Sequence, residues 1–554
     1  MNVALPVAAP LNPPAGFHTL LFQTAARLPN NTAVVDAGCV WSYAALAMRV
    51  ERLGRGLVAL GVLPGERVAV WLPKQVETLV AAFGAAVAGA VFVPVNAILK
   101  AAQVQHVLQD AGASVLVTTR QRLAELSRQW GVLPGLRWVL LVDVPALSSL
   151  SRFAATALPS HVQVLTLAAV EAGGGHKVLA VDATSLAALF YTSGSTGKPK
   201  GVMLSHDNLI AGAHSVAQYL GNTAEDRLLA VLPLSFDYGF SQVTTAFSVG
   251  ASVVLCDYLF PRDVLAAVSR ERITGLAGVP PLWSALAGLE WPAATGEQLR
   301  YVTNSGGVLP RAVLTRLRAH WPQTQVFLMY GLTEAFRSTY LPPADVDLYP
   351  DSIGQAIPGA EVRVLRADGS ECAVDEPGEL VHGGPLVALG YWGDATATQE
   401  RFRPPPPAMH AVDTQGATDP LARVVWSGDT VVRDAAGRLY FVARRDAMLK
   451  CSGYRVSPTE VEEVAYASGA VGDAVLVGTP DERLGHRLVL FATPPLNGAT
   501  DDALLQALRL ALPSYLVPAQ IVWRLALPRT PHGKFDRVQL TAEAGTVVAP
   551  SGLT

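Results

Sequence analysis

Cysteine is scarce in this chain of 554 residues: Cys39, Cys256, Cys372 and Cys451 make up the whole complement. No two of them form a C-x-x-C pair, so neither a zinc site nor a disulfide framework is indicated. A reduced, cytoplasmic setting is the expectation. Charge is scarce too. Only 16 % of residues are charged, and 42 Lys+Arg against 45 Asp+Glu leave a formal charge of −3. Without a positive surplus, electrostatic binding of nucleic acid is excluded as the main role. The N-terminus, MNVALPVAAPLNPPAG, lacks the basic segment of a secretory signal and is broken by prolines. A membrane-length apolar run is also lacking. Thr78 to Leu99 carries no charge, but Pro94 and Asn96 interrupt it. It reads instead as a buried helix to about Ala90, then a buried strand of a parallel sheet.

What remains is abundant apolar surface, 50 % of the residues. Such a chain is not disordered. At roughly 100–200 residues per domain it holds about three or four domains. Ser42 reads as the cap of a helix with the stripe Leu46, Val50, Leu53, Leu57 and Leu60, closed by Gly61. A strand is expected at Arg67–Leu72, a helix from about Gln75 and a strand at Val91–Val95. A helix near Ala101–Asp110 and a strand at Ser114–Thr118 follow. This β-α-β rhythm implies a layered parallel sheet, and it resumes between Asp182 and Val279. Beyond Ser352 the segments shorten and glycines multiply, which suggests a smaller β-rich unit. Two loops are expected, at Glu171–Lys177 and at Arg403–Ala422 with its run of four prolines at 404–407 and a fifth at Pro420. After Arg445, Ser457-Pro-Thr-Glu460 reads as a capping box. Strands at Ala474–Gly478 and Leu488–Thr493 and a helix near Asp501–Leu512 follow it. The expected class is α/β. A large body of layered mixed and parallel sheets spans 1–445, with its β-rich subdomain at about 352–445. A small mobile α+β domain spans 446–554.

The segment LAALFYTSGSTGKPKG carries the strongest chemical signal. An apolar strand opens into glycines, hydroxyls and two lysines. Glycines let backbone N–H groups approach a polyanion, Thr192, Ser193, Ser195 and Thr196 add hydroxyls, and Lys198 adds charge. A Walker loop is rejected on spacing. Gly194 stands only three residues before Gly197, and Pro199 rather than Ser or Thr follows Lys198.

TSGSTGKPKG resembles the phosphate loop of the adenylate-forming superfamily, which comprises acyl-CoA ligases, amino-acid adenylation domains and luciferases. Further motifs resemble the family's in its own order: YGLTE (Tyr330–Glu334), WSGD (Trp426–Asp429), Arg444-Arg-Asp446, KCSGYR (Lys450–Arg455) and PRTPHGK (Pro528–Lys534). The resemblance implies ATP-dependent conversion of a carboxylic acid to an acyl-adenylate with release of pyrophosphate, then transfer to the thiol of CoA. It implies ATP, Mg2+ and CoA, or a carrier protein's phosphopantetheine, as cofactors. By the same resemblance Thr192, Ser193, Gly194, Ser195, Thr196, Gly197 and Lys198 hold phosphates, with Thr333 beside them. Glu334 is the magnesium ligand. Tyr330 stacks on adenine beside Gly331, with Gly306 and Gly307 against the nucleotide, and Asp429 with Arg444 holds the ribose. Lys534 bridges the two reacting anions. Asp446 is the hinge of a rotation that brings Lys450, Gly453 and Arg455 to the thioester step. Among these, Lys534, Glu334, Thr333 and Thr192 form the catalytic set.

Pro233-Leu-Ser-Phe-Asp-Tyr-Gly-Phe240 falls at the acid pocket, with Phe236, Asp237, Tyr238, Gly239, Asn304 and Ser305 as its candidate residues. Many acyl-CoA ligases have P-L-F-H-x-x-G here, and Phe236 stands where that histidine would be. Phe-Asp resembles amino-acid adenylation domains, whose aspartate holds an ammonium. Asp237 either plays that part or faces a backbone turn or a nearby arginine. The substrate is therefore a small carboxylic acid made into its CoA thioester, or an amino acid loaded onto an acyl carrier protein. A catalytically silent nucleotide-binding relative is the reading from another class. No carrier domain follows Leu540, so a stand-alone enzyme is expected. The segments LSFDYGFSQVTTAF and LMYGLTEAFRSTYLPP also resemble ligases associated with exosortase and exopolysaccharide loci.

Overall fold

The computed structural model describes residues 16–128, 133–144, 158–173, 180–193, 199–292, 295–307, 309, 311–409, 423–444, 449–456, 458–494, 501–528 and 535–547. Three sheets organise them, of fourteen, eight and five strands. The eight-stranded sheet has a parallel centre built from Arg67–Val70, Val91–Pro94, Val115–Thr118, Trp138–Leu141 and Gln163–Thr166. The fourteen-stranded sheet has its own parallel run, which includes Arg227–Ala230, Gly275–Gly278, Tyr301–Asn304 and Gln325–Tyr330.

The charge-free stretch that could pass for a membrane span is the helix Val76–Val87 followed by the strand Val91–Pro94. Every helix position except Glu77 is buried. Among the described residues no helix is long and apolar enough to cross a membrane. The helix Tyr43–Ala59 packs beside it and is capped as its sequence suggests: Ser42 Oγ accepts from Ala45 N–H at 3.2 Å. Leu46, Val50, Leu53 and Leu57 are wholly buried. Both helices belong to one apolar core shared by the two large sheets. At its centre Phe17, Phe83, Phe92, Phe190, Phe240 and Phe247 meet at ring separations of 4.9–6.4 Å. Phe190 lies on the strand that leads to the glycine-rich loop. Phe240 lies on the pocket helix, Asp237–Val249. The aromatic cluster therefore fixes two halves of the site against each other.

The segment beyond Ser352 is built mainly of short strands. Its strands form no sheet of their own. Thr339–Leu341 and Ser352–Ala356 pair antiparallel onto Gln325–Tyr330, and Leu439–Arg444, Val424–Arg433, Gly378–Gly383 and Glu361–Leu365 continue the same ladder. One sheet thus changes from parallel to antiparallel beside the Tyr330 motif. The first expected loop is also shorter at its start. Glu171 and Ala172 end the helix Leu167–Ala172, and Glu171 is ion-paired to Arg49 at 2.8 Å. Of the second loop, 410–422 lies outside the described residues. Arg403 is in a two-residue strand. The five-stranded sheet starts at Leu449, and its hairpin Ala474–Asp481/Gly485–Ala492 is longer than the periodicity indicated. The helix Pro458–Ala467 begins on its proline. Its cap candidate, Ser457, lies outside the described residues. All four cysteines are free thiols.

Candidate active site

The site lies where the parallel strands of the large sheet end. Strand carboxyl ends are where open α/β sheets bind ligands. Beyond Ala230 the chain runs through Pro233 into the pocket helix. Beyond Asn304 it turns at Ser305–Gly307, a turn closed by Asn304 Nδ2 donating to Gly307 O at 2.9 Å. Beyond Tyr330 it enters a single 3-10 turn, Thr333–Ala335. The phosphate-loop segment joins Leu186–Ser193 to Pro199–Ser205, which pair antiparallel. It therefore tips a β-hairpin, unlike the strand-loop-helix of a Walker site.

One cavity is lined by Thr192, Phe236, Asp237, Tyr238, Ser305, Gly306, Gly331, Thr333, Asp429, Lys450 and Gly453, all named from sequence. A second adjoins it and is lined by Asn304, Gly307 and Tyr330, again with Gly306, Gly331 and Lys450. Glu334 is buried behind Thr333. Its Oε1 accepts from the Tyr391 hydroxyl at 2.7 Å. Gly239 does not line either cavity. A Cβ there would lie 2.0 Å from Pro233 O, so this glycine lets the pocket helix close on its own entry turn. Gly194, Ser195, Thr196, Gly197, Lys198, Asp446 and Lys534 lie outside the described residues. So do the side chains of Ser193, Arg444 and Arg455.

Tyr330 and Asp429 come together. The Tyr330 hydroxyl donates to Asp429 Oδ2, and both are buried. The opposite face of the Tyr330 ring region is met by His382, nearly parallel at 16° and 6.3 Å. Burial pushes His382 down to about 4, against the opposing pull of Asp429 and Glu334, so the ring is neutral at physiological pH. In the antiparallel register Asp429 stands directly across from Arg444.

The pocket helix is pinned by Tyr238, whose hydroxyl bonds Thr303 O at 3.0 Å and Thr303 Oγ1 at 2.6 Å. Asp237 opens the helix and is 7 % exposed. Burial pushes its carboxyl up to about 6. Arg337 pulls the other way, and Glu334 adds to the rise. Sequence reasoning missed Arg337. It is 2 % exposed and lines the cavity, three residues after Glu334 and just past Phe336, where the chain reverses at φ +54°. No spacing or motif in the sequence marks it as buried.

The smaller unit presents its Leu449–Val456 hairpin to this cavity. Lys450, Gly453, Tyr454, Glu460 and Tyr515 reach the lining. Gly453 sits at φ +82°, and a Cβ would meet the Val279 side chain at 2.9 Å. Both the backbone and the space call for glycine. Tyr454 stacks on Tyr515 at 3.9 Å. Gln103 Nε2 donates to Glu460 Oε1 across the two units at 3.0 Å.

A single buried carboxylate beside cavity-lining hydroxyls suits magnesium, which keeps several waters and leans on phosphate oxygens. Among the described residues no cluster of three His, Cys, Asp or Glu forms a closed metal cage. Glu334 with Thr333 thus fits the open kind of site.

Fold and cavity together define an adenylate-forming type of enzyme: a layered α/β body with a cleft at its strand ends, faced by a smaller α+β unit. The sequence profile of the AMP-binding enzyme family matches residues 21–392, and that of the AMP-binding enzyme C-terminal domain matches 460–534. The chain belongs to this family and is an AMP-forming ligase. It is 32 % identical to a feruloyl-CoA synthase of Amycolatopsis sp over 93 % of this chain and 96 % of that protein. It is 30 % identical to a stretch of a linear gramicidin synthase of Brevibacillus parabrevis, over 95 % of this chain but only 6 % of that protein. An amide bond synthetase of Marinactinospora thermotolerans shares the fold, with a TM-score of 0.80 at 23 % identity, covering 95 % of this chain and 99 % of that one.

Proposed function

We propose that the protein activates a small carboxylic acid with ATP and passes the acyl group to a thiol. A carboxylate oxygen attacks the α-phosphorus, the α–β phosphoanhydride bond breaks and pyrophosphate leaves. A thiolate sulfur then attacks the acyl carbon and the bond to AMP breaks. Both steps need charge neutralisation and alignment more than covalent help from the protein. Thr192 and Thr333 serve the phosphates with the loop Gly194–Lys198. Tyr330 and Asp429 serve adenosine, with Arg444 across the ladder and Gly306 and Gly307 along the base. Glu334 holds magnesium, which when bound neutralises phosphate charge. Lys534 aligns the carboxylate with the α-phosphate. The units 1–445 and 446–554 rotate about Asp446 between the two steps. The observation that carries this reading is a shared cavity. Thr192, Thr333 and Asp429 line it from the body, and Lys450 and Gly453 line it from the smaller unit.

The acceptor is the thiol of CoA, as the match to a feruloyl-CoA synthase supports. A carrier protein's phosphopantetheine is the second reading, favoured by Asp237 in the pocket and by the match to a peptide synthetase stretch. The two half-reactions separate the roles. Lys534→Ala is expected to cut acid-dependent ATP–pyrophosphate exchange by at least about a hundredfold. It should leave thioester formation from synthetic acyl-adenylate within a few-fold. Gly453→Val is expected to do the reverse. Unaltered exchange in Lys534→Ala, or equal loss of both steps in both variants, would sink the assignment. Exchange with no acid at all would favour a silent nucleotide-binding protein.

A further inference from the structure

Arg337 belongs to no role described so far, and its environment is unusual. A guanidinium taken out of water needs its charge answered. Its nearest partners are neutral. Nη2 donates to Ser241 Oγ at 3.0 Å, Nη1 lies 3.8 Å from Met329 Sδ, and the guanidinium carbon stands 4.4 Å from the centre of the Tyr238 ring. Among the described residues Arg337 makes no ion pair. Ser241 is one turn after Asp237 on the pocket helix, so the two share a helix face. Arg337 therefore meets the helix one turn from Asp237, and both residues line the cavity. The charge of Arg337 is felt at the Asp237 carboxyl, where it opposes the effect of burial.

We propose that Asp237 and Arg337 form a dipolar slot of zero net charge. It selects acids whose remote part carries an uncharged hydrogen-bonding group: a hydroxyl, phenol or carboxamide. The inference rests on the ligase reading above and names its substrate class. A hydroxyl can donate to Asp237 and accept from Arg337. An ammonium answers Asp237 but leaves Arg337 as an uncompensated buried cation. A second carboxylate answers Arg337 and strands Asp237. A plain hydrocarbon tail leaves both poles facing apolar atoms. The aspartate is thus balanced by the protein's own arginine and does not require a cationic substrate.

The test is a charge-swap cycle read by ATP–pyrophosphate exchange. The panel is 3-phenylpropanoate and its derivatives bearing a hydroxymethyl, an aminomethyl (an ammonium at the assay pH) or a carboxymethyl group at the para position. The wild type is expected to favour a hydroxyl derivative over its ammonium and carboxylate counterparts by at least about tenfold in kcat/KM. Arg337→Gln should move the hydroxyl-to-ammonium ratio about tenfold or more toward ammonium. Asp237→Asn should move the hydroxyl-to-carboxylate ratio similarly toward carboxylate. The double variant should restore the preference for the hydroxyl, because the slot is again neutral. Arg337→Lys keeps the charge and should keep the wild-type order. Should Arg337→Gln fail to fold, Asp237→Asn and Arg337→Lys still decide, since each makes an opposite demand on the ratios. Wild-type exchange fastest with ammonium acids overturns the proposal and leaves the ligase reading intact. So do single variants that lower all acids equally, the signature of a merely structural arginine. Exchange with no acid overturns both readings.

Discussion

Asp237 is a carboxyl whose ordinary ionisation is resisted by burial, and that resistance has a measurable sign. Its range is raised from 3.8 to about 6, so between those values the folded protein holds a proton that the unfolded chain has lost. Stability from this group is therefore full below pH 4 and declines as pH rises to about 6. Asp237→Asn cannot titrate. The stability of the wild type relative to this variant should fall by about 1–3 kcal/mol from pH 4 to pH 6.5. Paired urea melts at several pH values would show it, and a flat difference would mean that the carboxyl is solvated in the folded protein. The residue scale also shows what a motif can and cannot carry. Tyr330 and Asp429 were legible as separate motif members, and they prove to be joined by a hydrogen bond. Arg337 was not legible, because nothing in its spacing marks a lysine or arginine as buried. Only the reversal at Phe336 and the packing on Tyr238 place it inside.

At the scale of elements, the site depends on strands being held level at the end remote from it. Asp226 performs that task at the amino ends of three neighbouring strands. It accepts from Arg300 Nη2 at 2.6 Å, Thr274 Oγ1 at 2.7 Å, Asn222 Nδ2 at 3.0 Å and Thr223 N–H at 3.0 Å. Burial alone would raise its carboxyl, but these donors together hold it below the usual range. Removing the acceptor strands several donors. Asp226→Ala should cost about 2–4 kcal/mol. The melting temperature should fall by several degrees, while exchange per folded molecule stays within about twofold. A change of less than a degree would show that water replaces the carboxylate. Elements with local signatures were readable in advance: the Ser42-capped helix, the buried Val76–Val87 helix and the strand before the glycine-rich loop. The join at Thr339–Leu341 and Ser352–Ala356 was not readable. It unites segments that the glycine pattern separates, and it rests on cross-strand pairings with no local trace in sequence.

For the whole molecule, the question is what holds the smaller unit with its Leu449–Val456 hairpin against the cavity. The hydrogen bond from Gln103 to Glu460 and the approach of Gly453 to Val279 mark this face. On the proposed rotation, a unit that leaves and returns between two half-reactions is best held by contacts individually worth little. A hydrogen bond to a charged group contributes about 1.5–3 kcal/mol at most and less where water can replace it. Gln103→Ala removes this contact, together with the helix cap in which Gln103 Oε1 accepts from Lys100 N–H at 3.2 Å, and leaves the cavity residues assigned to nucleotide or thiol in place. About 1 kcal/mol lost from this arrangement shifts the population roughly fivefold toward the other. Thioester formation from preformed acyl-adenylate should then slow about two- to fivefold. Acid-dependent pyrophosphate exchange should hold steady or rise, because more molecules present the opposite face. The ratio of the two rates, measured in single-turnover experiments on wild type and Gln103→Ala, is the readout. If both rates fall together, the bond supports the fold and not the choice between faces. If neither moves, other contacts hold the unit and Gln103 only decorates its edge.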